Sequence, residues 1–362
     1  MADTSSLQLA DLTIIYVLDP PALTRDSIIL LSSIRQVLGD VKVVAYTPRD
    51  KAEFLLPYVT EFYRQMDAEI RLMDPTDRFA PPYKQGNKIL ACLQPRETGY
   101  TLFLDTDTAV VAAFDRADLV APGTVSVVPE GVQGWGGNPG SWEYVYAKFG
   151  LPFPEERVRL TRSAKTVPPY FNAGMIAFPT GSDFAGCWFR IAAELDADPE
   201  VRNKRPWLDQ IALPLAIRQA GLQMQVMANG WNLSISHPGQ HRHLERFFAH
   251  VDAIDARIVH YHQPKFFRGT RYQQIVDGAL AGHTRFGSLA DLTAEGDARH
   301  ARREEVWQRF GELKKLRQRS PAEIEEMHAL SREKNFIKSF RDSLERQIEI
   351  APASIVKTAG EV

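Results

Sequence analysis

Four short apolar runs, alternating with stretches at helical spacing, limit what the first hundred residues can become. Residues 12–18 (LTIIYVL) form a strand-length run closed by Asp-Pro-Pro, and Ile28, Leu31, Ile34 and Leu38 then recur at helical spacing before Gly39. The cycle repeats with VKVVAYT at 41–47, a helix expected from about residue 50, EIRLM at 69–73, a helical YKQGNKILACLQ at 83–94, and YTLFLDTD at 100–107. Strands that alternate with helices predict a parallel α/β sheet. In such sheets ligands gather at the carboxyl ends of the strands, where loops and helix termini converge. Asp105 and Asp107 fall at that end.

Bulk properties narrow the field. With 362 residues and 44% hydrophobic content, the chain can bury one large core or two moderate ones. Its 43 Lys and Arg against 45 Asp and Glu offer no global attraction for nucleic acid. Cys92 and Cys187 sit in apolar helical patterns without metal-binding spacing, so a reduced interior role and a cytoplasmic protein are expected. No stretch approaches the ~18 consecutive apolar residues of a membrane span, and the N-terminus lacks the pattern of a secretion signal.

After VSVVPE at 125–130, residues 131–169 are rich in Gly, Pro and Trp, and a strand pattern resumes in YFNAGMIAF at 170–178. The insertion reads as a substrate loop or lid, or as a plain surface connection. Its aromatics Trp135, Trp142, Tyr144 and Tyr146 are expected to pack it down. From about residue 296 the chain turns into charged helix, which divides it into a domain at 1–295 and a helical extension at 296–362. Ser320-Pro321-Ala322-Glu323 combines a capping box with proline at the first helical position. Ile337, Phe340, Leu344 and Ile348 follow on one stripe among basic residues, suited to packing on the domain, to a homodimer, or to peripheral contact with an anionic membrane.

Two carboxylates where a strand breaks into a turn can approach one cation. Hard oxygen ligands suit Mg²⁺ or Mn²⁺, with substrate phosphates filling further positions. Capping of the turn is the plainer reading. LFLDTDTAV also approximates the first motif of haloacid-dehalogenase phosphatases, but no Asp-Asp or Gly-Asp-x-x-x-Asp follows it on a later strand. A non-catalytic scaffold relative is the third reading.

YFNAGMIAF at 170–178, WLDQIALPLAI at 207–217 and RIVHYHQPKFF at 257–267 follow the aspartate pair in that order, with Lys88 upstream. Over residues 12–268 this order resembles the nucleotide-sugar glycosyltransferases of the GT-A fold, especially the family 8 group that includes glycogenin and bacterial lipopolysaccharide galactosyltransferases. The resemblance implies a Rossmann-like nucleotide-diphospho-sugar transferase domain. Its expected reaction is metal-dependent transfer of a sugar from a nucleotide-sugar donor, a UDP-sugar, to a glycan or other hydroxyl acceptor with retention.

By the same resemblance, Asp105, Asp107 and His260 match the ligands of a Mn²⁺ or Mg²⁺ ion, and Lys265 matches a lysine that reaches the donor phosphates. Here Lys265 is followed by Phe266 and Phe267 where the family has Pro-Trp, and it stands one residue closer to the histidine. Lys88, Asn172 and Gly174 resemble residues beside the donor sugar. Asp209 and Gln210 match an acidic-amide pair under the reacting carbon, with Asp209 as nucleophile or as stabiliser of positive charge. Of the two nearby histidines, His260 is expected to face the site and His262 to face away. Tyr16 and Asp19, at the end of the first strand, are placed to touch a nucleobase.

Overall fold

A computed structural model describes residues 9–236, 244–316, 318–339 and 355. The expected cycle forms β1 (Leu12–Val17), α1 (Thr24–Leu38), β2 (Lys42–Pro48), α2 (Pro57–Gln65), β3 (Glu69–Met73), α3 (Asn87–Leu93) and β4 (Tyr100–Leu104). The helix expected from residue 50 begins instead as a 3-10 turn over Arg49–Phe54, and α2 starts only at Pro57. Leu56 is extended at φ −74°, ψ 148°, the conformation imposed by the proline that follows it.

The chain continues through β5 (Thr108–Val110), α4 (Arg116–Leu119), β6 (Thr124–Pro129), α5 (Ser141–Lys148), β7 (Val158–Arg159), β8 (Thr166–Val167) and β9 (Phe171–Pro179). Next come α6 (Phe184–Ala197), α7 (Leu208–Gln219), β10 (Gln223–Val226), β11 (Leu233–Ser234), α8 (Leu244–Ala253), β12 (Ile258–His260) and α9 (Tyr272–His283). The described chain ends in α10 (Leu289–Lys315) and α11 (Pro321–Ser339).

Seven strands form one sheet in the order β10-β6-β9-β4-β1-β2-β3. β1 pairs in parallel with β2 and β4, and β2 pairs in parallel with β3, as the βα alternation predicts. β9 departs from that expectation by running antiparallel between β4 and β6. Its start therefore lies beside the ends of both neighbours, which brings Asn172, Asp105 and Glu130 to one edge. A smaller sheet, β11-β12-β5, pairs His260 antiparallel with Thr108 and thereby brings β12 to the same edge.

Both faces of the large sheet are covered. Along β1, Ile14 and Tyr16 enter one apolar cluster with Ile28, Leu31 and Leu102, while Ile15 and Val17 enter the other with Phe103, Ile176 and Trp188. This alternation across a sheet covered on both sides explains the continuous apolar run. Each such aliphatic side chain contributes roughly 1.5–3 kcal/mol by leaving water. Tyr16 belongs to this core: its hydroxyl donates to that of Tyr63 at 2.9 Å, so it is not the nucleobase contact expected of it.

The insertion packs down as its aromatics predict. Trp135, Trp142 and Tyr146 are buried, Trp135 meets Trp142 edge-on at 5.0 Å, and Trp135 Nε1 donates to the Arg202 carbonyl at 2.9 Å. Tyr144 is exposed, with its hydroxyl donating to Asp198 at 3.0 Å.

α10 and α11 form a hairpin around Val306, Leu313 and Leu330, with Lys334 lying 4.0 Å above the Phe310 ring. The capping box is present: Ser320 N–H donates to Glu323 at 2.7 Å, and Glu323 N–H donates to Ser320 Oγ at 3.3 Å. Residue 296, where the composition changes, falls within α10. The side chains of the Ile337, Phe340, Leu344 and Ile348 stripe lie outside the described residues. Among the described residues no helix is long and apolar enough to cross a membrane. Ile355 is buried in the main core, and its carbonyl accepts from Arg285 N–H at 2.7 Å.

Candidate active site

The site is assembled at the edge where β1, β4 and β6 end and β9 begins. Lys88, in the first turn of α3, is 9% exposed and reaches Asp105 Oδ1 at 2.9 Å, Asp105 Oδ2 at 3.0 Å and Asp209 Oδ2 at 3.2 Å. It also donates to the Ala173 carbonyl at 3.2 Å. Burial alone would lower the Lys88 pKa, but the carboxylates of Asp105 and Asp209 outweigh it and raise the value. Lys88 is therefore a fixed cation that joins α3, the end of β4 and the first turn of α7.

Asp209, 3% exposed, has its other oxygen occupied as well: Tyr83 donates to Oδ1 at 2.8 Å. Gln210 turns to a different partner. Its amide donates to Glu130 Oε2 at 2.8 Å, and the same oxygen receives Asn172 Nδ2 at 2.8 Å. Asn172 Oδ1 in turn accepts Gly174 N–H and Asn232 Nδ2, each at 2.8 Å. The Gln210 amide oxygen is buried and has no partner among the described residues. Glu130 and Asn232 were not among the expected site residues. Glu130 carried a legible signal, because VSVVPE ends an apolar strand in an acid just as YTLFLD does.

The aspartate pair divides. Asp105 turns to Lys88, whereas Asp107 Oδ1 lies 3.2 Å from His260 Nε2 and Oδ2 lies 3.6 Å from His262 Nδ1. The expectation that His262 faces away from His260 is corrected, since the two rings stack at 4.0 Å with 28° between their planes. Side chains two apart on an extended segment share a face. β12 also ends at His260, and the chain turns at His262 with φ +58°.

Burial would raise the Asp107 pKa, but His260 and then His262 hold it well below the usual carboxylate range. Asp107 thus stabilises the fold above the ordinary carboxylate value of about 4, and this contribution is lost as pH falls through the depressed value. Burial lowers the His260 pKa, and Asp107 more than reverses it. The His260 contribution is complete below the ordinary imidazole value of about 6.5 and is lost as pH rises past its elevated one.

Donor chemistry decides whether a divalent cation suits this place. One donor atom each from Asp107, His260 and His262 lie within 4.8 Å of one another, and imidazole with carboxylate is a fit donor set for a first-row ion. His260 Nδ1 is buried without a partner and lies against Gly174. A Cβ at Gly174 would come within 2.7 Å of Asn172 Oδ1 and 2.8 Å of His260 Cε1. Gly174→Ala is expected to push the His260 ring aside, to cost about 1–3 kcal/mol of stability, and to weaken Mn²⁺ binding measured by calorimetry. Unchanged Mn²⁺ binding would show that this ring position is unimportant.

An open cleft of about 390 Å³ runs from Asp107 along Val17, Asp19, Leu23, Lys84 and Asn87. Asp19 lines it, and burial raises its pKa. Lys265 lies exposed in the 3-10 turn Pro264–Phe267, just beyond the histidines.

A mixed sheet thus brings an acidic strand end, a buried lysine between two carboxylates and a histidine strand to one edge. The chain belongs to the Rhodobacterales glycosyltransferase domain family, whose model matches residues 14–221. No curated protein matches it by sequence. Among solved structures it is similar to the galactosyltransferase LgtC bound to donor and acceptor sugar analogs, with 12% identity over 74% of this chain and 95% of that one, at a TM-score of 0.47. Mouse xyloside xylosyltransferase 1 in its apo form shows 14% identity over 69% and 97% of the two chains, at a TM-score of 0.43. The bifunctional glycosyltransferase WbbM is 12% identical over 76% of this chain, which spans 52% of that protein, at a TM-score of 0.41.

Proposed function

We propose that the protein transfers a sugar from a nucleotide-diphosphate donor, a UDP-sugar, to a hydroxyl acceptor with retention at the anomeric carbon and with help from a divalent cation. The observation that carries this reading is the division of labour at the strand edge, with Asp107 facing imidazoles while Lys88 binds Asp105 and Asp209. In this reading Asp107 and His260 hold Mn²⁺ or Mg²⁺, and Asp105 stands on their flank. The cation, when bound, supplies positive charge to the departing diphosphate.

The chain's own residues do the rest. Lys265 is exposed and able to donate to the donor phosphates. Lys88, Asn172 and Gly174 border the place of the donor sugar. Both Asp209 oxygens are already held, by Tyr83 and Lys88, which favours a fixed negative charge that stabilises the oxocarbenium-like centre over a free nucleophile. Gln210, held by Glu130, lies next to it in α7. The acceptor oxygen then bonds to the anomeric carbon on the face from which the diphosphate leaves, and its proton passes to the departing phosphate oxygen.

Differential scanning fluorimetry tests the reading. UDP with Mn²⁺ is expected to raise the melting temperature by about 3–5 °C, the shift for a ligand near a hundredfold its Kd, and UDP with EDTA is expected to do much less. A panel of sugar nucleotides should then show slow hydrolysis of one donor. Absence of any nucleotide effect together with turnover of simple phosphomonoesters would favour the phosphatase reading.

A further inference from the structure

His262 lies at an unusual point of the backbone. Its φ of +58° is rare for a residue other than glycine, and the turn around it closes with Gln263 N–H donating to the Tyr261 carbonyl at 2.6 Å. Three-residue turns with positive φ are strained, and such strain persists only where the surroundings enforce it. Here the enforcement is visible in the residue that precedes the turn. Tyr261 N–H donates to the Asp107 carbonyl at 3.0 Å, and the Tyr261 hydroxyl donates to Asp26 at 2.8 Å in the core.

The turn aims the His262 ring in a definite way. Its Nδ1 faces Asp107 Oδ2 at 3.6 Å, and its Nε2 lies 3.3 Å from Ser234 Oγ. Imidazoles that bind metals usually engage an outer partner through the nitrogen that is not coordinated, which sets the tautomer and the ring orientation. His262 has such a partner. Asp105, by contrast, has both oxygens on Lys88.

We infer that His262 is a protein ligand of the cation, completing with Asp107 and His260 a two-histidine, one-carboxylate set that prefers a first-row transition ion to Mg²⁺. The inference rests on the reading of Asp107 and His260 as metal ligands and adds the donor that replaces Asp105. Two imidazole nitrogens favour Mn²⁺, Co²⁺ or heavier ions, whereas Mg²⁺ keeps to oxygen donors.

The test measures metal binding without turnover. Mn²⁺ binding to the full chain is followed by loss of the free-ion electron paramagnetic resonance signal, and Co²⁺ binding by its visible absorption. Three proteins are compared: wild type, His260→Ala, and His262→Asn, because Asn tolerates a left-handed backbone and removes the ligand without removing the turn. Melting in EDTA verifies that each is folded. His262→Asn is expected to weaken Mn²⁺ binding by at least ~10-fold and to alter the Co²⁺ spectrum, while millimolar Mg²⁺ fails to displace Mn²⁺ from wild type. Wild-type affinity in folded His262→Asn, with affinity lost in His260→Ala, overturns the inference and leaves the functional reading standing. Free competition by Mg²⁺ overturns the preference for a transition ion. Absence of Mn²⁺ and Co²⁺ binding to wild type overturns the inference and the metal reading together.

Discussion

Asp107→Asn is expected to reduce sugar transfer by about a thousandfold, or about 4 kcal/mol of transition-state stabilisation, while the protein stays folded. Asp107 is the carboxylate that meets both imidazoles, at 3.2 Å and 3.6 Å, and its charge is what Asn removes. Its side chain is 27% exposed at the cleft and contributes no apolar packing. Losing the charged contact to His260 should cost about 1.5–3 kcal/mol of stability. Turnover of the donor at saturating Mn²⁺, paired with melting in EDTA, checks both halves. Turnover near the wild-type rate would remove Asp107 from the machinery.

Lys88→Met carries the largest expected effect on stability. Lys88 is the cation between two carboxylates, and its removal leaves Asp105 and Asp209 facing each other in a buried setting. Removing one partner from a buried ion pair typically costs about 3–5 kcal/mol, so denaturant midpoints should fall well below wild type and transfer should be lost. Neutralising the orphaned charge as well, in Lys88→Met with Asp105→Asn, should recover much of the stability and none of the activity. A single variant as stable as wild type would show that the three charges do not form the unit described. The pairing also implies that Asp105 and Asp107 differ: both variants should unfold at lower denaturant, but only Asp107→Asn should lose metal binding.

The first half of the fold was legible because its signals are local. The apolar runs from Leu12 to Leu104 are strand-length, separated by helical spacing and closed by Gly or Pro, and their parallel pairing follows from that alternation. The capping box at Ser320 is likewise a matter of four consecutive residues. The direction of β9 was not legible, since a strand's periodicity is the same whichever way it pairs. That direction is what carries Asn172 and Gly174 to the edge where β4 ends.

The sequence by itself determined the alternating strand and helix frame, the acidic end of β4, and the order of motifs that marks the family. The tertiary structure alone decided how those residues are shared out. It gave Asp105 to Lys88 and Asp107 to the histidines, brought Glu130 between Gln210 and Asn172, and withdrew Tyr16 into the core. It also set His262 beside His260 and Asp107, where the i, i+2 spacing on an extended segment already allowed a shared face. The physical reason is that a residue's type and local pattern set which element it joins, whereas the partner of a buried charge is set by whichever opposite charge or hydrogen-bonding group packing brings within about 3 Å. Residues 17, 42 and 121 positions apart in the chain, such as Asp105 from Lys88, Asn172 from Glu130 and Asp209 from Lys88, meet only after the sheet has formed.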